Sequence, residues 1–316
     1  MLDIKKAQTE GPRIKVRQQK KSFPLLMMAP FFLLTTLFVI IPVILTIVMS
    51  FTNMSLTLEW NFIGSGNYLR IFGHPDIMRI IMRTLIFVAV NTILSVFGSI
   101  FVVIITTYYL DVVYHMERLG LFFRIVWLLP NLTPSVVYAF IWRFVFGPEQ
   151  YGMLNKLFQV LGIPTISWFS NYAMGIIMFV CCLTSASGSI ILFSSAVHQI
   201  PDSIFQAAKV DGAANMYICR RIVLPYLKWP IMQKTIWSVL GFFSTFEIIR
   251  LLTDGGPMGA TTTYSYYIYQ NAYAYRTFGL GAALSVFMVS MAIIFGLVIL
   301  RVFRIDKQIR EPRMDL

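Results

Sequence analysis

Charge is scarce and one-sided in this chain. Only 13% of the 316 residues are charged, and 14 acidic side chains face 26 Lys and Arg. A soluble domain carries about a quarter charged residues, so this composition, with 57% hydrophobic residues and a mean hydropathy of +0.72, excludes an ordinary water-soluble fold. The chain reads as an integral membrane protein of all-α class. Cysteine is equally sparse. Cys181 and Cys182 are adjacent and Cys219 stands apart, which excludes a disulfide framework and offers no metal-ligand spacing; all three read as small apolar fillers. With three histidines, His74, His115 and His198, there is no His-Glu metal motif and no serine-histidine-carboxylate set. No G-x-x-x-x-G-K-[ST] run occurs, so the chain has no phosphate-cradling loop of its own. Catalysis by this chain is excluded on these grounds, and any uphill work must draw on a partner ATPase or an ion gradient.

The net charge of +12 would suit nucleic acid if the basic residues shared one soluble face. They instead flank apolar runs, as the positive-inside bias of membrane proteins requires. Residues 1–22 carry Lys5, Lys6, Arg13, Lys15, Arg17, Lys20 and Lys21 against Asp3 and Glu10. That basic tail is expected in the cytoplasm, followed by an uncleaved first span at 24–51, because the apolar run is too long for a signal peptide and lacks a small-residue cleavage site. Further spans are expected at 80–110, 121–145, 173–196, 231–253 and 278–303, with a second cytoplasmic tail at 304–316. The domain between the tails, 23–303, thus contains six transmembrane helices. Both termini are inside: this arrangement places 19 of the 26 Lys and Arg on the inner side, among them Arg118, Arg124, Lys209, Arg220, Arg221, Lys228 and Lys234.

Between spans, the loop at 52–79 contains Trp60 and Tyr68, which favour the water-lipid boundary. In the outer loop at 146–172, Leu154, Leu157, Phe158 and Leu161 are spaced for a short amphipathic helix. Arg83 is expected to snorkel to headgroups, and Glu247 and Arg250, three apart, to pair with each other. The glycines and proline of Asp254-Gly255-Gly256-Pro257 predict a tight turn. Tyrosines 264, 266, 267, 269, 273 and 275 suit an outer boundary layer.

The most informative stretch is the polar, basic interruption at 201–230, PDSIFQAAKVDGAANMYICRRIVLPYLKWP. Ser203 is placed to cap a helix, Gly212 invites a break and Pro225 a stop. Ala207, Ala208, Ala213 and Ala214 are small enough to let another protein's backbone approach. The pattern predicts a helix-turn-helix at the membrane surface that plugs into a partner.

QAAKVDGA, with nine residues between Gly212 and Ile222 and then IVLP ending at Pro225, resembles the EAA loop of the permeases of bacterial ABC importers. In that family the loop is the coupling helix that docks into a cytoplasmic ATPase. The resemblance assigns this docking to Gln206, Ala207, Ala208, Asp211, Gly212, Ala213, Leu224 and Pro225. The usual leading glutamate is Gln206 here, so an ionic contact with the ATPase is replaced by a neutral hydrogen bond or is absent. FIGSGNYLRIF, RLGLFFRIVWLLP and WRFVFGPEQYGMLN are similar to further segments of the family, and LTDGGPMGATTTYSYYIYQNAY resembles a signature seen especially in importers of sugars and polyols. The resemblance implies a type I importer permease in a bacterial inner membrane. It also implies a second permease subunit, which the basic tail and Gln206 favour as a different chain, two ATPase subunits that hold ATP and Mg, and an extracytoplasmic solute-binding protein. No cofactor is implied in this chain.

For the substrate path, two stretches stand out. The second half of the span at 173–196 is rich in small polar residues, including Thr184, Ser185 and Gly188, which fit close helix packing or the lining of a path. Ser238, Phe242 and Thr245 recur at intervals of four and three on one helical face. Their hydroxyls and ring suit a sugar, or equally bonds to their own backbone and helix packing. A carrier driven by protons or sodium is the competing reading. It predicts clustered ionisable residues at mid-membrane and a duplicated hydropathy pattern.

Overall fold

The computed structural model describes residues 22–57, 59–148 and 151–302. The tails expected at 1–22 and 304–316 lie, apart from Ser22, outside them. Every regular element described is helical, and the chain divides into two compact units at Val48.

The first unit is built on α1, whose span Leu26–Met49 is 24 residues long. Pro42 has no N–H to give, and the turn before it, Thr36–Ile40, is π-wound, with the Ile41 N–H reaching back to the Thr36 carbonyl. Widening a turn ahead of a proline relieves the clash of its ring with the preceding turn.

In the second unit, the segment expected as a boundary loop contains a helix, α2 (Gly66–Gly73). Buried Asn67 holds it, because its amide donates to the carbonyls of Ser50 and Thr52. Then comes α3 (Ile77–Val113), 37 residues long. At 1.5 Å per residue it is about 55 Å long, far more than the ~30 Å hydrocarbon core. Its last ten residues, Ile104–Val113, are π-wound. The span expected at 121–145 is two helices, α4 (Glu117–Leu132) and α5 (Ser135–Val145), bent by 102° at PNLTP. Pro134 cannot continue α4 and disfavours a helical Thr133, whose backbone is extended. The amphipathic helix forms as α6 (Met153–Val160). Asn155, at its buried face, bonds to Gly147, Ile166 and the Trp168 indole.

The core lies between α3 and α7 (Ala173–His198). Small polar residues line this contact. Ser95, Ser99, Ser187 and Ser189 are buried, and the Ser99 hydroxyl also reaches the Ala186 carbonyl across the interface. Opposite this seam, Met82, Ile86, Ile93, Phe97 and Phe101 form an exposed apolar stripe on α3, as expected of a helix whose other face meets lipid or another apolar surface.

After α8 (Asp202–Val210), helical structure resumes as α9 (215–226) and continues into α10 (Lys228–Ser244) and, past a break at Thr245 and Phe246, α11 (Glu247–Leu252). The span expected at 231–253 is therefore a 17-residue helix plus a short one. Further along the chain come α12 (Tyr264–Tyr269) and α13 (Phe278–Val302). Among the described residues, four helices, in α1, α3, α7 and α13, are long and apolar enough to cross a membrane, and five if the bent pair α4–α5 counts as one. The architecture is an all-helical membrane protein. The expected count of six differs because α10 falls short of a full span by itself.

Tyr264 and Tyr266 are buried in the helix packing, whereas Tyr273 and Tyr275 are exposed. The Tyr266 hydroxyl donates to Asp254 Oδ1 at 2.7 Å, so the turn after α11 is tied to α12. Burial and the nearby carboxylate push the Tyr266 phenol above its ordinary value. Gly255 has φ +81, and a Cβ there would lie 2.7 Å from the Tyr266 ring. That is a turn in which only glycine fits.

Candidate functional site

The 201–230 segment starts with α8, which begins at Asp202 with Pro201 before it and no side-chain cap. Ser203, expected as the cap, falls inside the first turn. Asp202 there complements the helix dipole. The helix closes in the left-handed turn that Gly212 permits, with φ +75, while the Asp211, Gly212 and Ala213 N–H groups bond to the carbonyls of Ala207, Lys209 and Ala208. Pro225 sits inside the last turn of α9, which ends one residue later at Tyr226. The turn before it, Cys219–Val223, is π-wound, with the Leu224 N–H on the Cys219 carbonyl, and after a turn at Leu227 the chain is helical again through Ser244.

Two faces result. Phe205, Ile218, Cys219, Val223 and Leu227 are buried together with Val102, Val103 and Tyr108 of α3 and Ile190, Phe193 and Val197 of α7. Burial pushes the Cys219 thiol up, partly offset by Arg220, so it is a packing group and not a nucleophile. On the other face Gln206, Ala207, Lys209, Asp211 and Gly212 are exposed, and Val210 projects with 87% of its surface free. Leu224, Pro225, Ala208 and Ala213 are not among the fully buried residues. The Tyr108 hydroxyl donates to the Asn215 carbonyl at 2.9 Å, so the loop is bonded, as well as packed, to the π-wound end of α3.

The same end of α3 carries an ionic cluster. Buried Asp111 accepts from Arg124 of α4 at 2.5 Å, and His198 Nε2 lies 3.4 Å from the same oxygen. Arg124 also donates to the Thr106 carbonyl and the Thr107 hydroxyl. Gly120 makes room for this, because a Cβ there would lie 2.0 Å from Asp111 Oδ1.

Deeper in the helices, a groove of about 310 Å³ runs between α7 and α10. It brings together Thr184, Ser185, Ser238, Phe242 and Thr245, and adds Asn131, Lys234 and Trp237. Gly188 is exposed but does not line it. Thr184 and Thr245 donate to carbonyls of their own helices, and Phe242 packs edge-on against Phe87 6.0 Å away, the local bonding and packing that competed with a sugar contact. Ser238 differs, since its residue is 4% exposed and its hydroxyl has no hydrogen-bond partner among the described residues.

Compared with known proteins, residues 104–314 match the family described as binding-protein-dependent transport system inner membrane component. The chain belongs to this family. It is thus the permease component of a binding-protein-dependent ABC importer, a multi-pass protein of the inner membrane and not the catalytic subunit. The sulfoquinovosyl glycerol transport system permease protein SmoG of Agrobacterium fabrum is 30% identical over 286 residues, 88% of this chain and 89% of that protein. The trehalose/maltose transport system permease protein MalF of Thermococcus litoralis is 27% identical over 296 residues, covering 92% and 96%. The fold matches a chain in the crystal structure of a bacterial alginate ABC transporter in complex with an alginate pentasaccharide-bound periplasmic protein. The TM-score is 0.77 at 18% identity, over 89% of this chain and 93% of that one.

Several polar residues of this permease have partners other than those the sequence suggested. Glu247 and Arg250 do not pair: Glu247 accepts from the Ser135 hydroxyl at 2.7 Å, and Arg250 lies 4.8 Å over the Tyr269 ring. The break at Thr245 and Phe246 frees each for a neighbouring helix. Arg83 donates to the carbonyls of Gly259 and Thr262, pinning the turn after α11. Lys234, counted above with the inner charges, reaches Ser185, halfway along the 26-residue α7. Asp111, Arg124 and His198 were invisible as a cluster because they sit on three helices. The sole signal was an acidic residue inside an apolar run.

Proposed function

We propose that this permease forms, with a second permease subunit of a different chain, the path for a carbohydrate or related polyol, and that the exposed face of α8 docks into an ATPase. The six-crossing topology with both termini inside belongs to this reading, with α4–α5 and α10–α11 each taken as one broken crossing. The proposal assigns ATPase contact to Gln206, Ala207, Ala208, Asp211, Gly212 and Ala213, with Leu224 and Pro225 holding the return helix. Thr184, Ser185, Ser238, Phe242 and Thr245 line the path; Gly188 does not. ATP and Mg are held by two partner ATPases, and an extracytoplasmic binding protein delivers the solute.

The observation that carries the reading is the two-faced 201–230 segment. One face is anchored to α3 and α7 through Phe205, Ile218 and Tyr108, while the other leaves Gln206, Ala207, Lys209, Val210, Asp211 and Gly212 exposed. A lever needs one rigid attachment and one free docking surface. Closure of the ATPases can shift the spans only if ATP favours the state in which the docked loops approach each other. The carbohydrate assignment is supported by the hydroxyl-lined groove and by the names of the relatives, which include the trehalose/maltose and arabinooligosaccharides permeases.

The test is uptake of labelled oligosaccharides by vesicles containing the complete complex. Uptake that requires ATP and the ATPase subunits, and that persists when ion gradients are collapsed, supports the reading. Uptake driven by an ion gradient without the ATPase would replace it by a secondary carrier.

A further inference from the structure

The groove between α7 and α10 holds a cation that its lining does not neutralise. Lys234 Nζ donates to both the backbone carbonyl and the hydroxyl of Ser185 at 2.9 Å. Two of its three N–H groups are thereby directed, and the third remains for another acceptor. Asn131, Cys181, Thr184, Trp237, Ser238 and the other lining residues include no carboxylate, and Lys234 makes no ion pair among the described residues. An ammonium drawn to the level of Ser185, halfway along α7, is costly in hydrocarbon and persists where it faces a polar path. Next to it, the buried Ser238 hydroxyl also lacks a partner. Trp237 lines the same groove with 66% of its surface free, and its flat indole suits the apolar face of a sugar ring.

We infer that this groove binds an anionic carbohydrate, with Lys234 holding its carboxylate, sulfonate or phosphate group, Ser238 a hydroxyl and Trp237 the ring. The inference rests on the reading of the groove as the transport path. It adds a charge requirement that the path reading lacks. A neutral sugar would leave the ammonium without an ionic partner, whereas an anion forms a charge-assisted bond with the free N–H.

The test uses the complete complex in nanodiscs and in vesicles. Trp237 fluorescence, isolated by subtraction of the signal from Trp237→Phe, reports occupancy of the groove without reference to transport. The probes are a uronic-acid disaccharide, a sulfonated glycoside, a sugar phosphate and neutral trehalose, so the arms also identify which anion fits. At least one anionic probe should bind about tenfold more tightly than trehalose. Lys234→Met should abolish the difference and Lys234→Arg should keep it, with co-purification of the other subunits showing that each variant assembles. Equal or tighter binding of trehalose by the unaltered protein, or a preference that survives in Lys234→Met, overturns the inference. ATP-driven uptake of trehalose without discrimination between the probes would overturn it while leaving the proposed function standing. Absence of ATP-driven uptake of every probe would overturn both.

Discussion

The hydroxyl of Tyr108 on α3 donates to the carbonyl of Asn215, the first residue of α9, at 2.9 Å. It joins the π-wound end of a spanning helix to the segment just past the left-handed turn at Gly212. The ring also packs 6.1 Å from Phe205 on α8, so one side chain touches both arms of the loop. Tyr108→Phe removes the hydrogen bond and keeps the ring. The expected loss is about 1 kcal/mol of local stability, with normal assembly and a lower ratio of solute transported to ATP hydrolysed. Simultaneous measurement of uptake and phosphate release checks this; an unchanged ratio would remove Tyr108 from the linkage.

Gly212 separates backbone demand from bulk. Its φ is +75, yet an added Cβ would meet nothing within 4 Å. A substitution there is strained without being crowded. Alanine should destabilise the turn by about 1 kcal/mol, while asparagine, which tolerates left-handed backbone, should cost less. If the turn's shape governs docking, ATPase co-purification should rank glycine, then asparagine, then alanine. Gly212→Trp adds bulk on the exposed side and should leave the protein inserted but uncoupled. Normal coupled uptake in that variant would refute the docking role.

The Asp111–Arg124 pair presents the opposite situation, a buried polar contact with no slack. Their side chains are 3% and 14% exposed. Arg124→Met strands the carboxylate with only His198 nearby, and breaking a buried pair costs about 3–5 kcal/mol. The variant should melt at a clearly lower temperature in detergent. Gly120→Ala should act similarly, because its methyl would occupy the space of the Asp111 carboxylate. A melting temperature unchanged in both variants would mean that this end of α3 repacks freely.

The sequence made the long spans legible because α3, α7 and α13 are continuous apolar runs, and their expected limits fall within a few residues of Ile77–Val113, Ala173–His198 and Phe278–Val302. Broken spans were harder. Hydropathy has no term for the 102° bend between α4 and α5, although Pro130 and Pro134 marked its place. Pro225 marked the place of a helix end only to within a residue or two, since a π-wound turn absorbed the missing N–H, α9 closed at Tyr226 and α10 began at Lys228. Tyr264 and Tyr266 read as boundary residues by composition, but the turn at 254–259 and its bond to Tyr266 draw them inward. Five of the six residues expected along a path share the groove. Lys234 was missed because a charge count by sequence assigns a lysine to the nearest loop, while its long side chain reaches the middle of α7.

Gln206 is the clearest departure from the family pattern that the sequence shows, and its surroundings predict that the departure is mild. It lies on the exposed face of α8, three residues before exposed Lys209. A carboxylate at 206 would face that lysine one turn on, an arrangement worth a few tenths of a kcal/mol, and exposed substitutions of this kind stay within about 0.5 kcal/mol. Gln206→Glu should therefore fold and insert normally. If the docking surface on the ATPase still accepts the family's usual acid, the variant should also co-purify with the ATPase and transport at an undiminished rate. Loss of ATPase association in a stable, inserted Gln206→Glu protein would show that the partner surface has changed with the loop and now excludes a negative charge at this position.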